Sequence, residues 1–405
     1  MRALTRKRIA ALLFVFALIT AGAALGWRYF QPVWDPFKAS AITGAPFPSL
    51  TYGVHTFLWW DGGDVGKHLD WVRLMSFSHA KQTFAWRDVE PVPGLWDWRQ
   101  ADRILSEVQR RELQLIVRLG QTPEWARFPG AGQAHDAPPA DMSKWRAYCA
   151  AVAERYRGRI SAYQIWNEPN LSREWGDERP DPAGYVDLLA ECSAAIRQAD
   201  PAAILISAGL APTGTHGELA TPDDVYLDQM YRNGFQRHID AVGVHAPGYA
   251  PPEIGPDDPQ AAQRWFTFRR VEDLRKIMLS HGDEARQMAI MELGYTIDPV
   301  NPDYQWFSVT EQQQAQYLER AFEFVIANWR PWVGLIVLLN LPDPGWSPAD
   351  EQYWWSIVEP DGSGPRPAFI TLANMRKVCG DFVIPAREDD SPAALGQVKA
   401  PICPP

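Results

Sequence analysis

The chain has 405 residues, 46% of them hydrophobic and 22% charged, a composition that supports a sizeable packed core and excludes wholesale disorder. Its formal charge is −10, which argues against a nucleic-acid partner, since that would call for basic patches. Tryptophan is abundant, at 19 residues, and an indole N–H needs a partner, so part of this set is expected in grooves as well as in the core.

The first segment differs from the rest. Arg2, Arg6, Lys7 and Arg8 form a basic start, and residues 9–27, IAALLFVFALITAGAALGW, carry no charge. Residues 1–30 read either as a signal peptide, with the small residues AGA at 21–23 as its cleavage site, or as a signal-anchor transmembrane helix. The length of the run favours the anchor. Either way the basic end stays in the cytoplasm and the remainder is extracytoplasmic, anchored to the cytoplasmic membrane or secreted. Residues 31–45 read as a spacer.

Short apolar runs then alternate with helical spacing. The runs fall near 51–57, 79–85, 113–119, 161–166, 203–208, 239–245, 287–291 and 333–339. Between them, stretches such as 98–112, 142–158 and 310–329 repeat apolar residues at three- and four-residue intervals. Eight strand–helix units predict a closed (β/α)8 TIM barrel over residues 46–380, a single domain. Helix-to-strand links are short. Strand-to-helix links are long and rich in Pro, Gly, Asp and Trp, which places the working rim at the carboxyl ends of the strands. Residues 381–405 read as an extended Pro-rich tail.

Cys149, Cys192, Cys379 and Cys403 fit an oxidising compartment and match no metal spacing. Cys149 and Cys192 fall in helical stretches flanking one strand and can pair, and Cys379 and Cys403 can pin the tail. Buried free thiols are the equal alternative for each pair.

Two strand ends carry acids. In AYQIWNEPN (162–170) an apolar run stops at Asn167, Glu168 and Pro169. In MAIMELGYT (288–296) Glu292 follows four apolar residues. A carboxylate there is desolvated unless it is paired or functional. Strands four and seven face each other across an eight-stranded mouth, so the two acids can flank a ligand. Glycoside cleavage needs such a pair, one carboxyl protonated and the other ionised. The chain lacks a phosphate-cradling glycine loop, an H-E-x-x-H motif and a G-x-S-x-G elbow, so neither a metal nor another cofactor is expected.

The Asn-Glu-Pro triplet ending strand four, with a Glu ending strand seven, resembles the large clan A of retaining glycoside hydrolases with a (β/α)8 barrel. Within it the chain looks most like glycoside hydrolase family 39, the β-xylosidase-like group. The resemblance implies Glu168 as acid/base, Glu292 as nucleophile and Asn167 as ligand of the sugar hydroxyl beside the reacting carbon. It also implies substrate contacts from His55, Trp86, His245, Tyr249, Tyr295 and Trp346, and a carbohydrate as partner. Glu90 reads as a structural residue of the turn after strand two. Two departures stand out. The clan's strand-two Arg has no clean counterpart, with Lys81 and Arg87 as the candidates, and Asn340 occupies the strand-eight tip where many members carry Trp. Trp59, Trp60, Trp125, Trp166, Trp175, Trp265, Trp306, Trp354 and Trp355 are placed with Trp346 in or beside the rim loops. The acidic, aromatic rim is expected to favour neutral or positively charged glycans. A transglycosylase with the same acid pair and a non-catalytic glycan-binding barrel are the alternatives. Oligomeric state is left open.

Overall fold

The computed structural model describes residues 42, 44–61, 65–129, 131, 136–361, 363–387 and 401–403. The leader expected over residues 1–30, most of the spacer and tail residues 388–400 lie outside them. Eight parallel strands close a barrel in chain order: β1 (Thr51–His55), β2 (His79–Ala85), β3 (Gln114–Gly120), β4 (Ala162–Ile165), β5 (Ile204–Ser207), β6 (Ala241–Pro247), β7 (Gln287–Gly294) and β8 (Val333–Leu338), with β8 pairing back to β1. Helices follow them: α1 (Val65–Leu74), α2 (Arg99–Arg110), α3 (Met142–Arg155), α4 (Pro182–Ala199), α5 (Asp223–Arg232), α6 (Arg270–Ser280), α7 (Glu311–Phe324) and α8 (Pro367–Asn374). All eight expected strands are present where the apolar runs lie.

Local chemistry explains the elements. Strand β8, VGLIVL, is buried along its whole length, as a strand covered on both faces must be. Helix α2 buries Ala101, Ile104, Leu105 and Val108, one stripe at helical spacing. Asp141 caps α3 by accepting from the Ser143 amide, and Asp181 caps α4 by accepting from the Ala183 amide. Thr310 and Gln313 form a reciprocal capping box at the start of α7.

Inside the barrel, Ile116, Ala162, Ile206, Ala241, Ala289, Met291, Leu335 and Val337 form one apolar cluster with Phe47. Phe47 is held there by Gln287, which accepts from its amide and donates to its carbonyl, each at 3.0 Å. Two residues further along β3 and β4 the same face turns polar, with Arg118 after Ile116 and Gln164 after Ala162.

Both cysteine pairs are bridged. Cys149 of α3 and Cys192 of α4 bond across 43 residues of sequence, tying together the helices on either side of β4. Closing a loop of that length stabilises the fold by about 4 kcal/mol in the chain-entropy account. A hairpin of β9 (Lys377–Cys379) and β10 (Phe382–Ile384) ends the described barrel, and Cys379 bonds to Cys403 in the tail. Among the described residues no helix is long and apolar enough to cross a membrane.

Candidate active site

The tip of β4 is not ordinary strand. Trp166 and Glu168 take left-handed backbone, with φ of 73° and 38°. Side chains of this size adopt that region only where their surroundings hold them. Here the Trp166 amide donates to Leu119 O at 2.8 Å and its indole to Glu174 O at 2.9 Å. The Glu168 amide donates to Gly209 O at 3.1 Å. Asn170 clips the loop to the one after β5: its amide group donates to Ala211 O and Thr221 O, and its Oδ1 accepts from the Ala211 amide. The last residue of IWNEPN thus has a structural task.

Glu292 reaches the mouth by a different device. The β6–β7 register slips between Val244 and His245, and the β7–β8 register slips between Ile290 and Leu293. These irregularities break the in-out alternation. Met291 joins the apolar cluster, and the next residue, Glu292, still lies among the mouth residues.

The two acids meet over the barrel. A carboxylate oxygen of Glu168, one of Glu292 and a ring nitrogen of His245 all lie within 4.8 Å of one another. His245 Nδ1 is 2.8 Å from Glu168 Oε1 and 3.7 Å from Glu292 Oε2. The far face of the His245 ring lies over Gly209, where any Cβ would collide with it. Glu292 Oε1 is surrounded: Lys81 Nζ donates to it at 3.2 Å, His55 Nδ1 lies at 3.6 Å and Arg118 Nη1 at 3.9 Å. Lys81 also donates to Met291 O at 3.1 Å. Arg173 Nη2 approaches Glu168 Oε2 at 3.6 Å from the exposed side.

This setting separates the charges. Burial alone pushes the Glu292 carboxyl up, but His245, Lys81 and His55 outweigh it and hold the group well below the usual carboxylate range. Burial, reinforced by Lys81, drives the His55 imidazole down to about 3, so it is neutral. Burial lowers the Lys81 ammonium to about 8, although Glu292 works in the opposite direction. Glu168, His245 and Glu292 are spaced as metal ligands can be. Lys81 and Arg118 already place positive charge against Glu292, which disfavours a cation there.

The mouth collects Asn167, Glu168, His245, His55 and Glu292. Asn167 is half-buried and its Oδ1 makes no hydrogen bond among the described residues. Trp346 is half-buried against Phe57, with ring centroids 4.5 Å apart, and Phe57 in turn packs on His55 at 4.4 Å. Tyr249, also half-buried, accepts from the Gln263 amide and neighbours Trp306. Two expectations are corrected. Trp86 has no exposed surface: it packs with Trp125, Trp145 and Tyr148 and donates to Glu90 Oε2 at 2.8 Å. Tyr295 is equally enclosed, its ring against Gly248. Neither presents a face to a ligand. Glu90 also accepts from the Gly94 amide at 2.8 Å, holding the turn as expected.

Of the rim tryptophans, Trp59, Trp166, Trp175 and Trp355 are buried, and Trp60 and Trp306 are the well-exposed ones. Of the two strand-two candidates, Lys81 is the one that reaches Glu292. Arg87 turns instead to Asp88 at 3.8 Å. Arg118, Arg173 and Gly209 were not anticipated. A charge inside the run QLIVRLG was the available signal for Arg118.

No family model matches the sequence, and no curated protein matches it at a significant level. Solved structures do. A family 39 glycoside hydrolase from the gut symbiont Bacteroides cellulosilyticus WH2 superposes with a TM-score of 0.59 at 18% identity, covering 81% of this chain and 63% of that one. A GH10 endoxylanase from a sugarcane soil metagenome gives 0.55 at 17% identity, covering 80% and 96%. An exo-β-1,4-mannosidase from Opitutaceae bacterium strain TAV5 gives 0.53 at 16% identity, covering 80% and 58%. The chain thus spans under two thirds of the family 39 structure. At these identities the likeness shows the fold. The structural neighbours of this barrel are glycoside hydrolases, a family 39 enzyme among them.

Proposed function

We propose that the chain is a retaining glycoside hydrolase acting on O-glycosidic bonds of an oligo- or polysaccharide. The observation that carries this reading is the approach of Glu168 and Glu292 to within 4.8 Å across the mouth. That gap is near the roughly 5–5.5 Å of a covalent, configuration-retaining pair and too small for the water of an inverting one, which needs about 6.5–9.5 Å.

In this reading Glu168 gives its proton to the glycosidic oxygen as the bond to the anomeric carbon breaks. Glu292 Oε2, the oxygen not bonded by Lys81, attacks that carbon and forms a glycosyl ester. Glu168, now ionised, takes a proton from water. The water oxygen displaces the ester, returning Glu292 to its carboxylate and Glu168 to its acid. Lys81 and the neutral His55 keep Glu292 charged and oriented. Asn167 supplies a hydrogen bond to the hydroxyl beside the reacting carbon, and His245 steers Glu168. Trp346 and Tyr249 flank the sugar. The two disulfides support an extracytoplasmic setting for the chain, whether anchored or secreted.

A 2-deoxy-2-fluoro glycoside with a good leaving group tests the assignment. The reading expects a mass increment of one fluoroglycosyl unit on the peptide containing Glu292. Turnover without any trapped adduct, or an adduct elsewhere, defeats it.

A further inference from the structure

The two ends of the barrel differ in charge. In the helix-to-strand connections and closing hairpin (residues 111–113, 156–161, 200–203, 233–240, 281–286, 330–332 and 375–387), nine Arg and Lys stand against six Asp and Glu. In the strand-to-helix loops of the rim the acids outnumber the bases, in keeping with the overall charge of −10. A strand as long as β2, seven residues, spans about 23 Å, well beyond the roughly 8 Å over which physiological salt screens a charge. The acidic rim therefore does not cancel the basic end.

Part of this charge is already engaged. Lys377 is buried and donates to Leu372 O and Ala373 O at the end of α8, Arg111 pairs with Asp70 and Glu107, and Arg286 pairs with Asp283. Arg157, Arg159, Arg237, Arg330 and Arg376 are exposed, and none forms an ion pair among the described residues. Helix carboxyl ends favour bases at this end of a barrel, and Arg330 serves one by donating to Ile326 O. The side chains of Arg157, Arg237 and Arg376 make no hydrogen bond to a described residue.

Apolar side chains lie beside two of these arginines. Tyr52, near the start of β1, donates to Val378 O at 3.2 Å and accepts from the Val378 amide at 2.9 Å, which fixes the β9–β10 hairpin at this end. Burial pushes the Tyr52 hydroxyl up to about 12, against the Val378 bond and the nearby charges of Arg330 and Arg376. A Cβ at Gly380, in the hairpin turn, would lie 3.6 Å from Ser49. Gln287 bonds to both Phe47 and Pro331 O, so the chain enters the barrel at the same place. On the outer strand of the hairpin Phe382 is 46% and Val383 41% exposed. Asp381, in the hairpin turn, is outnumbered by Arg330, Arg376 and Arg387.

A basic surface with exposed apolar side chains fits the head-group region of a bilayer. Guanidinium groups meet lipid phosphates with paired donors, and aromatic and branched side chains enter the acyl boundary. Upstream, the uncharged run 9–27 is joined to Gly44 by a segment whose fully extended reach is at most about 60 Å, so a membrane that holds the run is within reach of this end. We propose that the end of the barrel where the strands begin, around Arg330, Arg376, Phe382 and Val383, docks on a bilayer that contains anionic lipid. Docking turns the rim and its acid pair away from the membrane. The inference does not rest on the glycosidase reading.

Amide hydrogen exchange of the full-length protein tests this, in vesicles of phosphatidylcholine alone and of phosphatidylcholine mixed with phosphatidylglycerol. An apolar leader inserts alike in both, so a difference between them reads the barrel. Amides of residues 380–384 are expected to exchange more slowly in the anionic vesicles, and high salt to abolish the difference. Arg330→Gln and Arg376→Gln are each expected to lower the docked-to-free ratio by roughly fivefold. Phe382→Ser should lower it as well. A thermal melt checks that each variant folds, and the lipid and salt comparison on the unaltered chain decides the matter even where a variant does not. Equal exchange in the two kinds of vesicle overturns the inference, as does protection that persists in the double arginine variant. Protection that appears without lipid and grows with protein concentration assigns the face to a second copy of the chain and overturns it too.

Discussion

The tips of β4 and β7 carry the same side chain in opposite settings. Glu168 stands on left-handed backbone held by hydrogen bonds to neighbouring loops, with His245 on one oxygen and the exposed Arg173 near the other. Glu292 stands on a strand bulge, with Lys81, His55 and Arg118 gathered around one oxygen. One carboxyl is steered by a single imidazole near solvent, and the other is fixed as an anion in a cationic socket. A residue type does not determine a role. The charges and donors within about 4 Å do.

Exchanging or removing these settings tests the contrast, beginning with the largest effect. Glu292→Gln is expected to lower kcat by at least roughly ten-thousand-fold, as loss of a nucleophile does, while the thermal melt stays cooperative. Glu168→Gln should lose hydrolysis of poor leaving groups far more than of activated ones, and azide should restore a glycosyl azide product. Steady-state rates on both substrate types distinguish the two acids.

Lys81 gives the contrast a pH signature. Its ammonium titrates near 8, so raising pH through that value removes the cation bonded to Glu292. Activity is expected to fall on the alkaline side with a limb near 8, and Lys81→Arg to move the limb upward because a guanidinium keeps its proton. Lys81→Met should cost about a hundredfold in kcat/KM, the scale of a lost electrostatic contact at a reacting group. A pH–rate profile whose alkaline limb is the same in wild type and Lys81→Arg would dissociate Lys81 from Glu292.

On the Glu168 side, Gly209→Ala drives a methyl into the His245 ring and should displace it from Glu168. We expect kcat to drop by roughly tenfold to a hundredfold, with the Glu292 adduct still formed from an activated fluoroglycoside. Pre-steady-state trapping would read this. The smallest expected effect on catalysis comes from the scaffold behind β4. Cys149→Ala with Cys192→Ala should lower stability by about 2–4 kcal/mol by denaturant titration and leave kcat within roughly twofold.

The barrel was legible because most strands are short runs of apolar residues, such as VGLIVL of β8, bounded by helical spacing. The acid pair was legible because a charge ending such a run has no cheap structural reason. Other features depend on contacts that no local pattern encodes. Trp86 looked like a rim residue, but its surroundings are Trp145 and Tyr148 of α3, far along the chain. Arg118 and Lys81 lay inside strand runs, where sequence does not say which face a charge takes. The bulge that turns Glu292 inward arises from register slips with β6 and β8, invisible in MAIMELGYT itself. The choice between bridges and free thiols needed the packing of α3 against α4.

The two oxygens of Glu292 are not equivalent. Lys81 bonds to Oε1, while Oε2 lies 3.7 Å from His245 Nδ1. If the ester forms through Oε2, its acyl C=O is Oε1 and remains in the grip of the lysine. That contact would draw electron density out of the ester and ease departure of the carboxylate when water arrives. A single cation would then assist both halves of the cycle without moving.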